Sequence, residues 1–311
     1  MKVLVTGGAG FIGSFLCEEL LDNGHNVVCL DNFSTGKKSN IKHILQHPKF
    51  KLIEHDVTKP IELETDFIFH LASPASPVDY QKLPIETSMA NSLGTLNMLN
   101  LAKKNGSVFL LASTSEVYGE PLVHPQREDY WGNVNPIGTR SCYDVSKRFA
   151  ENLTMIFFRK YGLDVRIARI FNTFGPRMRL NDGRAIPNFI VQSLTGKSIT
   201  VYGDGKQTRS FCYISDMVDG LIKLMFKDNL SGEVVNLGNP VEMTILDIAK
   251  LIKDITKSNS KIIFKTLPKD DPTRRNPDIT KAKKLIDWQP TVSFTIGLGK
   301  TIEWFKGELK K

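Results

Sequence analysis

The chain has 311 residues, 41% of them apolar and 24% charged, with 41 basic against 33 acidic side chains. That much apolar surface excludes a disordered chain, and no stretch approaches the ~18 uninterrupted apolar residues of a transmembrane helix. The net charge of +8 comes without any RNA- or DNA-binding signature, so no nucleic-acid partner is expected; a pocket for an anionic small molecule fits better.

Residues 2–6 (KVLVT) predict a short buried strand. Gly7, Gly8, Gly10 and Gly13 follow as a glycine turn, and an amphipathic helix runs on to Asn23-Gly24. These glycines satisfy both GxGxxG (8, 10, 13) and GxxGxxG (7, 10, 13), in the strand–turn–helix context that a pyrophosphate cradle requires. The same glycines in front of a signal peptide's apolar core would interrupt it, so export by that route is not expected. Residues 26–31 predict the second strand, ending on Asp31, whose carboxylate can accept hydrogen bonds from an adenosine ribose. A 2′-phosphate would meet like charge there, which favours NAD over NADP, although Lys37 and Lys38 lie close in sequence. Phe11, Ile12, Asn32, Asp56, Val57, Leu71 and Ala72 complete the candidate cofactor contacts, Asp56 toward the adenine ring, with a helix N-cap or turn carboxylate as its alternative.

Further apolar runs at 50–55, 66–72, 108–113 and 164–170 predict strands, with helices around 84–105 and 143–161 between them. Alternation of this kind predicts an α/β fold: a Rossmann-type, doubly wound parallel sheet with helices on both faces. After about residue 173 the pattern breaks at Pro176, Pro187, Gly203-Asp204-Gly205 and Gly238-Asn239-Pro240, predicting a smaller mixed α/β lobe. The expected division is 1–173 for the dinucleotide-binding domain and 174–311 mainly for the lobe, with some segments returning to the large domain.

Tyr143 and Lys147 are four residues apart on a stretch without helix breakers, hence on one helical face. An ammonium beside a phenol stabilises the phenolate, the base that hydroxyl oxidation by hydride transfer needs. Alone, that spacing also describes an ordinary exposed pair. Thr114, Ser115 and Glu116 end the 108–113 strand, at the edge where doubly wound sheets bind ligands. Cys17, Cys29, Cys142 and Cys212 form no CxxC pair and no His cluster accompanies them, so neither a metal site nor a disulfide framework is expected. A reducing compartment, the cytoplasm, follows as the expected location.

Together TGGAGFIG, the Tyr143–Lys147 pair and TSEVYG at 114–119 resemble the extended short-chain dehydrogenase/reductase superfamily of NAD-dependent sugar-nucleotide epimerases, dehydratases and decarboxylases. Longer stretches narrow this: HLASPASPVDYQ (70–81), NSLGTLNML (91–99), RSCYD (140–144), RIFNTFGPRM (169–178) and DDPTRRNPDI (270–279) resemble the UDP-glucuronate decarboxylase family. The resemblance implies that Tyr143, helped by Lys147 and Thr114, takes the proton of the sugar's 4-hydroxyl while NAD takes the hydride. The 4-ketone then lets the carbon-5 carboxylate leave as CO2 through an enolate, and hydride return closes the reaction at UDP-xylose. It implies roles in decarboxylation and reprotonation for Glu116 and Arg275, and sugar-nucleotide contacts for Ser115, Asn172, Arg177, Arg209 and Arg275. Ser115 stands where related dehydratases carry Asp, and serine is a poor acid for expelling a hydroxyl. Val145, Ser146 and Thr139 depart from the usual pattern without touching a reacting group. A 4-epimerase or 4,6-dehydratase on another nucleotide sugar, or a dinucleotide binder without catalysis, is the alternative. Apolar residues beyond one face's need (Leu93, Leu96, Met98, Leu99; Met155, Ile156, Phe157, Phe158), with the resemblance, imply a homodimer through helices 84–105 and 143–161.

Overall fold

The computed structural model describes residues 1–267 and 274–311; positions 270–273 of the DDPTRRNPDI stretch lie outside the described residues. The first half alternates strand and helix. β1 (Lys2–Thr6), α1 (Phe11–Asp22), β2 (Asn26–Asp31), α2 (Lys38–Ile41), β3 (Phe50–Glu54) and β4 (Phe67–His70) come first. α3 (Pro77–Lys82), α4 (Pro84–Met89), α5 (Thr95–Asn105), β5 (Val108–Thr114), α6 (Ser141–Tyr161) and β6 (Val165–Ile170) follow. The predicted 84–105 helix is two α segments joined by a π-helical turn at Ala90–Gly94.

The second half adds β7 (Thr173–Phe174), α7 (Ala185–Leu194), β8 (Ile199–Tyr202), β9 (Thr208–Ser210), β10 (Cys212–Tyr213), α8 (Ile214–Phe226) and β11 (Glu233–Leu237). It ends with β12 (Glu242–Thr244), α9 (Ile245–Ile255), β13 (Ile262–Lys265), β14 (Arg274–Arg275), α10 (Thr280–Ile286) and α11 (Phe294–Leu309). Seven parallel strands form one sheet in the order β11-β6-β5-β4-β1-β2-β3, the doubly wound Rossmann arrangement expected from the alternation. β11 lies beside β6, so residues 233–237 return to the large sheet from beyond position 173. Smaller sheets, β12-β9-β14 and β13-β8, build the lobe with α7 and α9.

The central strands are apolar on both faces because both are covered. On one side Val3, Val5, Leu16, Leu20, Met217 and Leu221 pack the sheet against α1 and α8, in a core that continues into the lobe. On the other, Leu4, Ile68, Met98, Leu99, Leu111, Phe157 and Ile167 pack it against α5 and α6. Three residues that read as surplus are therefore intrachain core, Met98 and Leu99 at 0% exposure and Phe157 at 6%. Leu93 and Ile156 remain exposed, beside exposed Ile85, Met89 and Phe149.

Candidate active site

A cavity of about 820 Å³ runs along the carboxyl ends of β1, β2, β4, β5 and β6 and on between the sheet and the lobe. Parallel strands all point their carboxyl ends to that edge, so the loops leaving them converge there. Gly7, Gly10, Phe11, Ile12 and Gly13 form one end of its wall. Gly7 takes φ +70°, and a Cβ on Gly13 would stand 2.2 Å from the Gly7 carbonyl oxygen. Only glycine permits this tight turn. α1 starts from Gly10 with no side chain capping its first amides, which leaves them for an anion. Gly8 is placed differently: it is absent from the wall, and a Cβ there would meet the Cys17 and Cys29 sulfurs, so it serves close packing of α1 on the sheet. The 7, 10, 13 pattern is thus the one that faces the cavity.

Asp31 ends β2 on the wall, its carboxylate accepting from the Ala9 amide (2.9 Å) and the Phe33 amide (2.8 Å). Burial pushes its pKa up and these two amides pull it back. Asn32 donates to Asp56 at 3.2 Å, and Val57, Leu71 and Ala72 continue the same surface.

At the centre stand Thr114, Tyr143 and Lys147. All three are buried, Tyr143 6% exposed and Lys147 3%. Lys147 donates to the Ala112 carbonyl at 2.8 Å, which ties α6 to β5 and leaves its Nζ 6.0 Å from the centre of the Tyr143 ring. Burial lowers the Lys147 pKa to about 8, opposed by the charge of Glu151. Burial also raises the Tyr143 phenol above its ordinary range, and the chief opposing influence is the Thr114 hydroxyl within hydrogen-bonding reach. An ammonium nearby is expected to bring Tyr143 down; in the chain by itself burial outweighs the lowering influences.

Beyond this pair lies a cluster of charges. Arg275, 1% exposed, donates to Ser115 Oγ (3.0 Å), the Gly119 carbonyl (3.1 Å) and Glu116 (3.1 and 3.3 Å). Arg140 donates to the same Glu116 carboxylate at 2.5 Å. Burial alone would raise Glu116, but Arg275 and Arg140 outweigh it and hold its carboxyl below the usual range. Asp144, 3.7 Å from Arg140, is driven the other way by burial and by the Glu116 charge. Arg275 Nε is buried without a hydrogen-bond partner. Asn172 and Arg209 line the lobe side, Arg209 close enough to help depress Glu116.

Arg177 does not join this cluster. It touches the cavity edge, yet its guanidinium is bound to Glu18 of α1 at 2.6 Å and lies 3.9 Å from the Phe15 ring centre. Its position fastens the segment after β7 to α1. Several further residues of the site do not stand out in the sequence. Tyr80 stacks flat on Tyr143 (5.1 Å, 5°), with Arg140 on the Tyr80 ring at 5.9 Å. Arg184, paired with Asp182 at 2.5 and 2.8 Å, acts electrostatically on Tyr143. Tyr202 is 40% exposed on the cavity wall. Arg140 carries a signal, being one turn before Tyr143; Tyr80 and Arg184 carry none, since only tertiary packing brings their loops to α6.

All four cysteines are free, no helix among the described residues is long and apolar enough to cross a membrane, and no cluster of metal-ligating side chains occurs among them.

The family profile described as GDP-mannose 4,6 dehydratase matches residues 4–301. UDP-glucuronic acid decarboxylase 1 of Danio rerio is 56% identical over 309 residues, covering 99% of this chain and 73% of that protein. The enzyme of the same name from Arabidopsis thaliana is 53% identical, covering 99% and 71%. Among solved structures, UDP-glucuronic acid 4-epimerase of Bacillus cereus, in complex with UDP-glucuronic acid and NAD, superposes with a TM-score of 0.89 at 32% identity, covering 99% of this chain and 100% of that one. The dTDP-glucose 4,6-dehydratase of Streptomyces venezuelae, with NAD bound, gives 0.92 at 27%, covering 100% and 98%. The glycine cradle, the Tyr143–Lys147 pair and the arginine-clamped Glu116 thus sit in a chain that belongs to the UDP-glucuronic acid decarboxylase family, within the wider epimerase/dehydratase family of Rossmann enzymes.

Proposed function

We propose that the protein binds NAD and converts UDP-glucuronate to UDP-xylose by oxidation at carbon 4, decarboxylation and reduction. The observation that carries this reading is the pair of arginines around Glu116, Arg275 buried and Arg140 part-buried, a few residues from the Thr114–Tyr143–Lys147 centre. The side-chain-free Gly7–Gly13 turn, the uncapped amides of α1 and the Asp31 carboxylate fit a dinucleotide: small, donating and anionic where pyrophosphate and ribose would lie. NAD, when bound there, supplies the hydride acceptor and donor.

Tyr143 receives the proton of the 4-hydroxyl, with Thr114 beside it on the cavity wall and the Lys147 ammonium, 6.0 Å from the ring centre, favouring the phenolate. The carbon-5 carboxylate becomes β to a ketone once carbon 4 is oxidised, so its loss as CO2 leaves a stabilised enolate. Arg275 and Arg140 put fixed positive charge beside that carboxylate and the enolate oxygen. Glu116 is held ionised by both arginines, so it acts as their anchor before substrate arrives and carries a proton only once an arginine has shifted to the substrate. Ser115 holds Arg275 by accepting its hydrogen bond, a role unlike that of a carboxyl acid for dehydration. Asn172 and Arg209 face the lobe side, where a diphosphate needs donors; Arg177, committed to Glu18, stands apart.

The test is a mass-spectrometric product assay with UDP-glucuronate and NAD. UDP-xylose with CO2 is the expected product; the carbon-4 epimer, or intact substrate, overturns the reading. A homodimer through α4, α5 and α6 accounts for the exposed Ile85, Met89, Leu93, Phe149 and Ile156, whose helices pack on one another. Sedimentation at micromolar concentration should give twice the chain mass, and Leu93→Glu with Phe149→Glu should halve it; a wild-type monomer sinks the dimer. The free, mostly buried thiols accord with a reducing, cytoplasmic location. Fractionation that places the protein in an oxidising compartment would refute it.

A further inference from the structure

One turn beyond Lys147 on α6, Glu151 ends a part-buried polar network that the reaction above does not use. Its carboxylate accepts from both arms of Arg169, Nε at 2.9 Å and Nη2 at 2.8 Å, and from Ser113 Oγ at 2.6 Å. Arg169 stands in register with Ser113 of β5 on one side and Asn236 of β11 on the other, so the three form a row across adjacent strands. The row continues upward. Arg169 donates to the Tyr118 hydroxyl (2.9 Å), which donates to Asn236 (2.8 Å), and Asn236 donates to the Gln126 and Asp278 carbonyls (3.0 and 3.2 Å). Glu151 is thus fixed by three donated hydrogen bonds on a rigid sheet. Lys147, in turn, hangs from Ala112, the residue before Ser113.

We propose that Glu151 is a positioning residue for this reaction: from one turn along α6 its charge keeps Lys147 an ammonium beside Tyr143, where the Ala112 carbonyl holds it. The inference deepens the proposed function and rests on it. The geometry supports a charge effect beyond mere packing. Lys147 and Glu151 share one face of α6 at i, i+4 spacing. Among the described residues, Tyr143 on α6 and His70 on β4 also face Lys147, and burial keeps His70 neutral, with a pKa lowered to about 3. Glu151 is the carboxylate whose charge opposes the desolvation of Lys147, and Arg169 behind it tempers that charge without cancelling it.

The experiment measures the titration of Lys147 by its pH-dependent labelling with acetic anhydride, read on the tryptic peptide by mass spectrometry. The wild-type midpoint should fall near 8. Glu151→Gln keeps the shape and removes the charge, so the midpoint should drop by roughly one pH unit. Glu151→Asp keeps the charge on a shorter arm and should stay close to wild type. Arg169→Gln removes the countercharge and should move the midpoint upward, an independent reading should the Gln variant at 151 fail to fold. The alkaline limb of kcat with UDP-glucuronate should follow the labelling midpoints, with KM changed less than about twofold. An unmoved midpoint in Glu151→Gln, a fall in Glu151→Asp as large as in the Gln variant, or a fall in Arg169→Gln overturns the proposal. Labelling needs no substrate, so a wild-type chain inert toward UDP-glucuronate refutes the decarboxylase reading while the Glu151 result stands by itself.

Discussion

Replacing Glu116 by Gln tests the charge balance of the site most directly. Two guanidiniums, Arg140 at 11% side-chain exposure and Arg275 at 2%, share this carboxylate. Removing one partner of a buried ion pair costs about 3–5 kcal/mol, because the remaining charge is left in a poor solvent. The lower end applies here. Arg140 keeps Asp144 at 3.7 Å, and Arg275 keeps Ser115 and the Gly119 carbonyl. Asp144 also recovers: its carboxyl is held up by burial and then by the Glu116 charge, so it ionises more readily once that charge is gone. A loss of about 3 kcal/mol is therefore expected in urea unfolding of the unliganded protein. On the proposed reading, the carboxylate of UDP-glucuronate meets the vacated arginines. Its stabilising increment over UDP alone should accordingly be larger in the variant than in wild type, while turnover collapses. A variant within about 1 kcal/mol of wild type, or one stabilised equally by UDP and UDP-glucuronate, would refute the assignment of these arginines to a carboxylate.

Other expectations follow from single contacts. Gly13→Ala puts a methyl 2.2 Å from the Gly7 carbonyl, so the cradle must open; NAD affinity by calorimetry should fall at least about tenfold, with a stability cost of about 1–3 kcal/mol, and unchanged affinity would sink the cradle. Arg177→Ala loses the Glu18 pair and the stack on Phe15, about 1 kcal/mol of stability, but should leave UDP binding within about twofold; a tenfold weakening would restore it to the substrate site. Acid should destabilise the fold through His70, whose hydrogen bonds to Thr6 and Thr95 are buried. Its folded pKa of about 3 lies below the ordinary 6.5, so the unfolded chain takes a proton that the fold refuses, and stability falls with pH below 6.5. The loss should reach about 3 kcal/mol by roughly pH 4.5, and His70→Asn should flatten the curve; equal slopes would disprove the cause.

The large sheet is legible in the sequence because its signals are local. Val3, Leu4 and Val5 make β1 an unbroken apolar run, Gly7 demands a left-handed turn, and α1 follows at once. Each later strand repeats that logic, and parallel pairing then fixes which ends meet. The return of β11 to β6 is not legible in that sense. Some later segment is expected to return to the large domain, but which one is not written locally: packing of α8 across β6 and α1 delivers EVVNL to the sheet edge.

The same division runs through the site. Tyr143 and Lys147 are fixed by helical spacing, and Thr114, Ser115 and Glu116 by the end of β5, so sequence alone places them. RIFNTFGPRM carries no record of Glu18, far earlier in the chain, to which the Arg177 guanidinium is bound at the cavity edge. The pKa of Tyr143 escapes the sequence for a related reason. Spacing shows that a cation is near, but desolvation depends on what covers both groups, here Tyr80 stacked on one face and the lobe beyond. A base that the bare protein keeps protonated needs positive charge from its ligands and from Lys147 to act near neutral pH. That requirement makes the ionisation of Lys147 the sensitive quantity in this site and gives the Glu151–Arg169 pair its leverage on the reaction.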